Sequence, residues 1–184
     1  RRIGAASSGH CNVIKVELDS HADTSVVGKN ALIIHRHDRF VMVTGFDPSQ
    51  PGRKAEIVDA AVLYVSPGTF DSYILVINQA IYVPELDDCL LCPMQCRMNG
   101  VRISETPKFL VENPTALDHS IQIINPEDPA HPLTIHLQLH GVISYFPIRC
   151  PTVEENEDYK IPQFKLTAAG AEWDPYDGDF SRLE

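Results

Sequence analysis

The chain has 184 residues, and its 15 lysines and arginines stand against 25 aspartates and glutamates, a formal net charge of −10. An apolar share of 43% with 22% charged residues excludes global disorder, and the length has room for one domain or a small domain with an appendage. No apolar run approaches the roughly 18 residues of a membrane span, and the acidic balance argues against wholesale nucleic-acid binding, which needs a basic face.

The opening Arg1-Arg2-Ile3-Gly4 does not read as a signal peptide. The absence of an initiator Met points to a piece of a longer polypeptide. Cys11, Cys89, Cys92, Cys96 and Cys150 make an odd count, which disfavours a secreted disulfide scaffold. Reduced thiols in an intracellular protein, cytoplasmic or particle-associated, are expected.

Residues 1–9 are small and polar and read as a flexible lead-in. Asn12 to Leu18 alternates, with Ile14, Val16 and Leu18 on one side and Lys15 and Glu17 on the other, as a half-buried strand requires. A turn after Asp23 is a helix candidate. Arg39 to Thr44 reads as a short strand, followed by Gly45-Phe46-Asp47-Pro48-Ser49-Gln50-Pro51-Gly52, whose glycines and prolines mark a turn or loop. Ala55 to Val65 and Tyr73 to Val83 read as longer strands. Pro93 to Met98 is the second helical candidate. Leu133, Ile135, Leu137 and Leu139 alternate with polar residues in the cleanest period-2 pattern of the chain, and Val142 to Phe146 is a further strand. Fourteen prolines disfavour long helices. The expectation is a mainly β fold, a sandwich or barrel of short strands. From Pro151 onward nine acidic and three basic residues carry −6 of the net charge. This stretch, 151–184, reads as an acidic, mostly solvated linker, with Trp173 as one aromatic that could dock on a surface.

The stretch that carries chemistry is Val16-Glu17-Leu18-Asp19-Ser20-His21-Ala22-Asp23-Thr24-Ser25-Val26-Val27. An apolar strand delivers an Asp into a turn of small residues, which exposes a carboxylate at the end of a rigid element. A lone Asp in that place is commonly a turn former or a helix cap. Here Asp19-Ser20-His21-Ala22-Asp23-Thr24 resembles the active-site loop of retropepsins, the aspartic proteases of retroviruses and retrotransposons. Their pattern is Asp, Thr or Ser, Gly, Ala or Ser, often then Asp. A second block, Ala80-Ile81-Tyr82-Val83-Pro84-Glu85-Leu86 followed by Cys89-Leu90-Leu91-Cys92-Pro93-Met94-Gln95, resembles the closing segment of copia-type retrotransposon proteases. There a YVP-x-L strand end runs into LLS-x-x-Q. The order and spacing of the two blocks agree with that family over residues 10–100.

The resemblance implies a retropepsin-like acid-protease β-barrel at 10–100, a β-rich extension of unassigned role at 101–150, and the acidic tail. It implies one catalytic Asp per chain, Asp19, and a site completed by a second copy on a two-fold axis. In that family the position of Ser20 cross-braces the two loops, and those of Ala22 and Asp23 line the substrate groove. Leu90, Leu91 and Cys92 match the second core loop, and Gly45, Phe46 and Gly52 fall where the family carries its flap. The implied substrate is the chain's own polyprotein, with water as nucleophile, no cofactor and no membrane partner. One position departs: His21 stands where the family has Gly, which adds bulk and a titratable group beside the carboxylate. An alternative is therefore a catalytically inactive protease-fold module used for dimerisation or peptide binding.

Two metal readings compete. Cys89, Cys92 and Cys96 form C-x-x-C-x-x-x-C, yet no second C-x-x-C or nearby H-x-x-x-H completes a zinc set. His136 and His140 would lie about 13 Å apart along a strand, and His35 and His37 about 7 Å apart, the latter pair flanking Arg36 in an expected loop. Packing cysteines and surface histidines are preferred, so no metal is expected. No G-x-S-x-G, P-loop or G-x-G-x-x-G occurs.

Overall fold

Strand alternation sets the first element: β1 (Lys15–Leu18) buries Val16 and Leu18 and turns Lys15 and Glu17 to the other face. The computed structural model describes residues 13–44, 51–125 and 128–183. The lead-in, Cys11, Gly45 and Phe46 lie outside the described residues. After β1 come β2 (Val26–Val27), β3 (Leu32–Val43), β4 (Arg53–Val65), β5 (Ser72–Tyr82), β6 (Cys89–Leu91) and the short helix α1 (Pro93–Arg97). Then follow β7 (Arg102–Ser104), β8 (Ser120–Asn125), β9 (Asp128–His136), β10 (Gln138–His140) and β11 (Ile143–Pro147). The chain closes with α2 (Val153–Glu157), β12 (Gln163–Lys165) and α3 (Asp179–Leu183).

The fold is mainly β, as the composition of short strands predicts. The main sheet runs β10-β11-β1-β6-β2-β5-β4-β3, with β12 added beside β5, and β7-β8-β9 make a second sheet. The path ends at β10 and β3, so the sheets are not closed into a barrel. The edge strand β3 leaves Phe40 and Met42 more than half exposed, and its long pairing with β4 is interrupted by two register shifts, bulges of the kind common on edge strands.

β4 and β5 are apolar on both faces because both are covered. On one face Val58, Val62, Tyr64, Leu75 and Ile77 share a core with Val16, Leu91 and Phe146 and with Ile121, Ile123, Leu133 and Ile135 of the second sheet. On the other, Ala61, Leu63, Ile74 and Val76 pack under Leu32 and Ile161. The extension is thus built into the same core as the first hundred residues: β11 pairs antiparallel with β1, Glu17 facing Tyr145.

Several local expectations are corrected. The Leu133 to Leu139 alternation is not one strand. At the buried Leu137, whose N–H donates to the His119 carbonyl at 2.9 Å, the chain leaves the small sheet and enters the main one. No helix forms after Asp23, where the chain bends straight into β2. His35 and His37 lie within β3 rather than a loop, and His37 Nε2 sits 2.7 Å from Asp59 Oδ1. The tail is not a solvated linker throughout, since alternation of Phe164 and Leu166 with exposed neighbours seats β12 parallel to β5. β5 is long enough for two partners along one edge, β2 at Ile81–Tyr82 and β12 at Ile74–Val76.

Candidate active site

Asp19 is the first residue past β1. The parallel pairing of β1 with β6 brings Leu18 opposite Leu91, and the Asp19 N–H continues it by donating to the Leu91 carbonyl at 3.1 Å. The chain then reverses: the Ala22 N–H donates to the Asp19 carbonyl at 3.2 Å, and the His21 N–H donates to Asp19 Oδ1 at 2.9 Å. A side-chain carboxylate that accepts from the backbone two residues on is the usual way an Asp fixes its own turn. The carboxylate is thereby aimed, half-buried, from the end of a strand anchored in the sheet centre.

The return of the loop is braced from below. Ser25, fully buried, donates its N–H to Gln95 Oε1 at 3.0 Å, and its hydroxyl oxygen accepts the Cys92 N–H at 3.0 Å. Its carbonyl accepts from the Ile81 N–H at 2.9 Å. Gln95 donates in turn from Nε2 to the Gln79 carbonyl at 3.4 Å. Cys92 caps α1, its sulfur accepting the Gln95 N–H at 3.4 Å. Leu90, Leu91 and Cys92 therefore lie directly beside the Asp19 loop. The second block contains Gln95 without announcing its role, and Ser25 carries no signal beyond being a small polar residue between Thr24 and Val26.

Close approach fixes Gly28 at the end of β2. A Cβ there would lie 2.3 Å from the Leu86 carbonyl oxygen and 2.9 Å from that of Asp88, both backbone atoms. This contact holds the Val83–Asp88 turn against the loop, with the Lys29 N–H on the Leu86 carbonyl at 3.0 Å.

Ser20, His21 and Asp23 are exposed and Ala22 is half-buried. His21 does not take the left-handed backbone that favours glycine, a region occupied among the described non-glycine residues by Asp38, Phe70, Gln79 and His119. The backbone at position 21 therefore does not demand glycine, and the imidazole lies exposed. A cavity of about 460 Å³ opens at Asp19, with Glu17, His21 and Leu90 on one side and Glu105, Val142 and Ser144 on the other. Glu17 is tied to Lys15 at 2.7 Å. Gly52 stands just before β4, close against Met42 and Thr44, at the described end of the β3–β4 hairpin.

Tail residues reach the same loop. Trp173 Nε1 donates to the Asp23 carbonyl and the Tyr176 hydroxyl to Asp23 Oδ2, each at 3.0 Å. The Asp23 carboxylate raises the Tyr176 pKa by favouring the neutral hydroxyl that bonds it.

The three clustered cysteines are buried. Burial pushes the Cys89 thiol up to about 11 and those of Cys92 and Cys96 upward as well, which disfavours the thiolate a metal ligand needs. Among the described residues no group of three His, Cys, Asp or Glu side chains is placed to hold a metal ion, and no helix is long and apolar enough to cross a membrane. Comparison with protein-family models, curated proteins and solved structures finds no match to this chain.

Proposed function

We propose that this chain is one half of a retropepsin-like aspartic endopeptidase that processes the polyprotein of a copia-type retrotransposon within the cell. The observation that carries this reading is the Asp19 loop itself: a carboxylate at the end of a central strand, hydrogen-bonded to its own turn and braced by Leu91, Cys92 and Gln95 of the second block. In this reading Asp19 meets its counterpart from a second copy. Two carboxylates that close cannot both ionise, so they share one proton and titrate as a pair. The ionised member takes a proton from a water that attacks the scissile carbonyl carbon. The protonated member hydrogen-bonds the carbonyl oxygen as negative charge develops there. The exposed Ser20 is free to reach across to the partner loop, and the cavity beside Asp19, walled by Glu17 and Leu90, takes a substrate side chain.

The test is hydrolysis of a peptide library by the full chain between pH 4 and 7, beside Asp19→Asn. Cleavage by the wild type and its loss in the variant support the reading, and equal inactivity of the two sinks it. One observation favours a silent peptide-binding or dimerising module instead, the imidazole of His21 beside the cavity. That module would bind peptides equally well with Asp19 or Asn in place.

A further inference from the structure

We propose that residues 172–180 are a ligand carried in cis by the active-site loop, an arm that competes with peptide substrates for Asp23. The inference rests on the protease reading of Asp19. The tail has two parts of different character. The first is an anchor: Phe164, Leu166 and Thr167 are buried, and Thr167 is joined to Asn78 by three hydrogen bonds. The Asn78 N–H donates to Thr167 Oγ1 at 2.6 Å, Oγ1 donates to the Asn78 carbonyl at 2.8 Å, and Asn78 Nδ2 donates to the Thr167 carbonyl at 2.6 Å. Residues 168–171 are then all exposed, and beyond them the chain is held chiefly by polar contacts at the surface. Glu172 pairs with Arg39. The Trp173 N–H donates to Gln79 Oε1 at 2.8 Å, and the indole ring lies 5.9 Å from that of Phe180.

Trp173 and Tyr176 of the arm meet Asp23, taking its backbone carbonyl and one carboxylate oxygen. In the protease reading Asp23 lines the substrate groove, and its carbonyl and carboxylate oxygens are acceptors open to the N–H groups of an extended peptide. An arm and a peptide cannot hold the same acceptors together, so substrate binds the fraction of molecules whose arm is lifted, and its apparent affinity falls by that fraction. The anchor stays in the sheet, which keeps the arm at high local concentration. Ring packing, exposed hydrogen bonds to Asp23 and one part-buried bond to Gln79 hold the arm, while the anchor side chains are buried; the arm is therefore the part that opens first.

The experiment compares full-length wild type, Tyr176→Phe and Asp19→Asn, using peptide hydrolysis and titration with a statine-containing peptide. Removing one hydroxyl hydrogen bond lowers KM about 3-fold to 10-fold with kcat unchanged. Trp173 is the single tryptophan of the chain; its emission shifts to the red as the statine peptide displaces the arm. A wild type that is active while Tyr176→Phe keeps the wild-type KM, or a statine peptide that binds with Trp173 emission unchanged, overturns the arm and leaves the protease reading standing. Wild type as inactive as Asp19→Asn, with no statine binding, removes the protease reading and the arm with it.

Discussion

Ser25 and Cys92 are separated by 67 positions and joined by one buried hydrogen bond, the Cys92 N–H on Ser25 Oγ at 3.0 Å. With Gln95 on the Ser25 N–H, it locks the loop that carries Asp19 to the segment that ends β6. Replacing Ser25 by Ala strands a buried N–H, a cost of about 1–3 kcal/mol. Ser20→Ala, at an exposed position five residues earlier, stays within about 0.5 kcal/mol. Urea unfolding of the two variants separates them, and equal midpoints would remove Ser25 from its bracing role.

Gly28 lies where any side chain collides with backbone. Since the Leu86 carbonyl is 2.3 Å from the site of a Cβ, Gly28→Ala forces the Val83–Asp88 turn away from β2. Overpacking of this kind costs about 1–3 kcal/mol, and the displaced turn adjoins β6 and so the Asp19 loop. Thermal unfolding measures the loss, while Gly68→Ala, where no atom lies within 4 Å, serves as the control and leaves stability near that of wild type.

Much of this site is readable along the chain because its logic is local. Val16 and Leu18 alternate with Lys15 and Glu17, and the run of small residues after Asp19 announces a turn. Ser25 and Gln95 are not readable in that way, because what gives each its role is a partner about 70 residues distant. Alternation also says nothing about which sheet a strand joins, so Leu133 to Leu139 spans two sheets with no break in its pattern. The tail misleads for a different reason. Its charge, averaged over 34 residues, hides Phe164, Leu166 and Thr167, the short segment that enters the core.

His119 gives the fold a pH dependence. It is buried, 6% exposed, and bonded through Nε2 to Ser144 Oγ at 2.9 Å, beside the Asp19 cavity. Burial, with Lys108 adding to it, lowers its pKa from the ordinary 6.5. The unfolded chain therefore takes up a proton first as pH falls through about 6.5, and the folded chain lags. Stability is greatest above that value and declines below it, by up to about 1.4 kcal/mol per pH unit until the folded imidazole also protonates. His119→Gln flattens this part of the profile between pH 5 and 7. A wild-type urea midpoint that does not change over that range is the contrary result.

Thiol reactivity reports whether the second block stays closed over the Asp19 loop. Cys89, Cys92 and Cys96 are at most 1% exposed, and desolvation holds all three as neutral thiols, Cys89 with a pKa of about 11. For Cys92 the nearby carboxylates of Asp23 and Asp19 add to that effect. Attack on a maleimide needs the thiolate and a clear approach. At pH 7.5 the exposed Cys150 is therefore labelled well before these three, although partial burial raises its pKa too. Peptide mapping after brief labelling reads the order directly. Ser25→Ala removes the bond that holds Cys92 in place, so labelling at Cys92 accelerates in that variant while Cys150 keeps its rate. Equal rates at Cys92 and Cys150 in the wild type would mean that the two blocks separate freely, and that the Asp19 carboxylate is not held in one position.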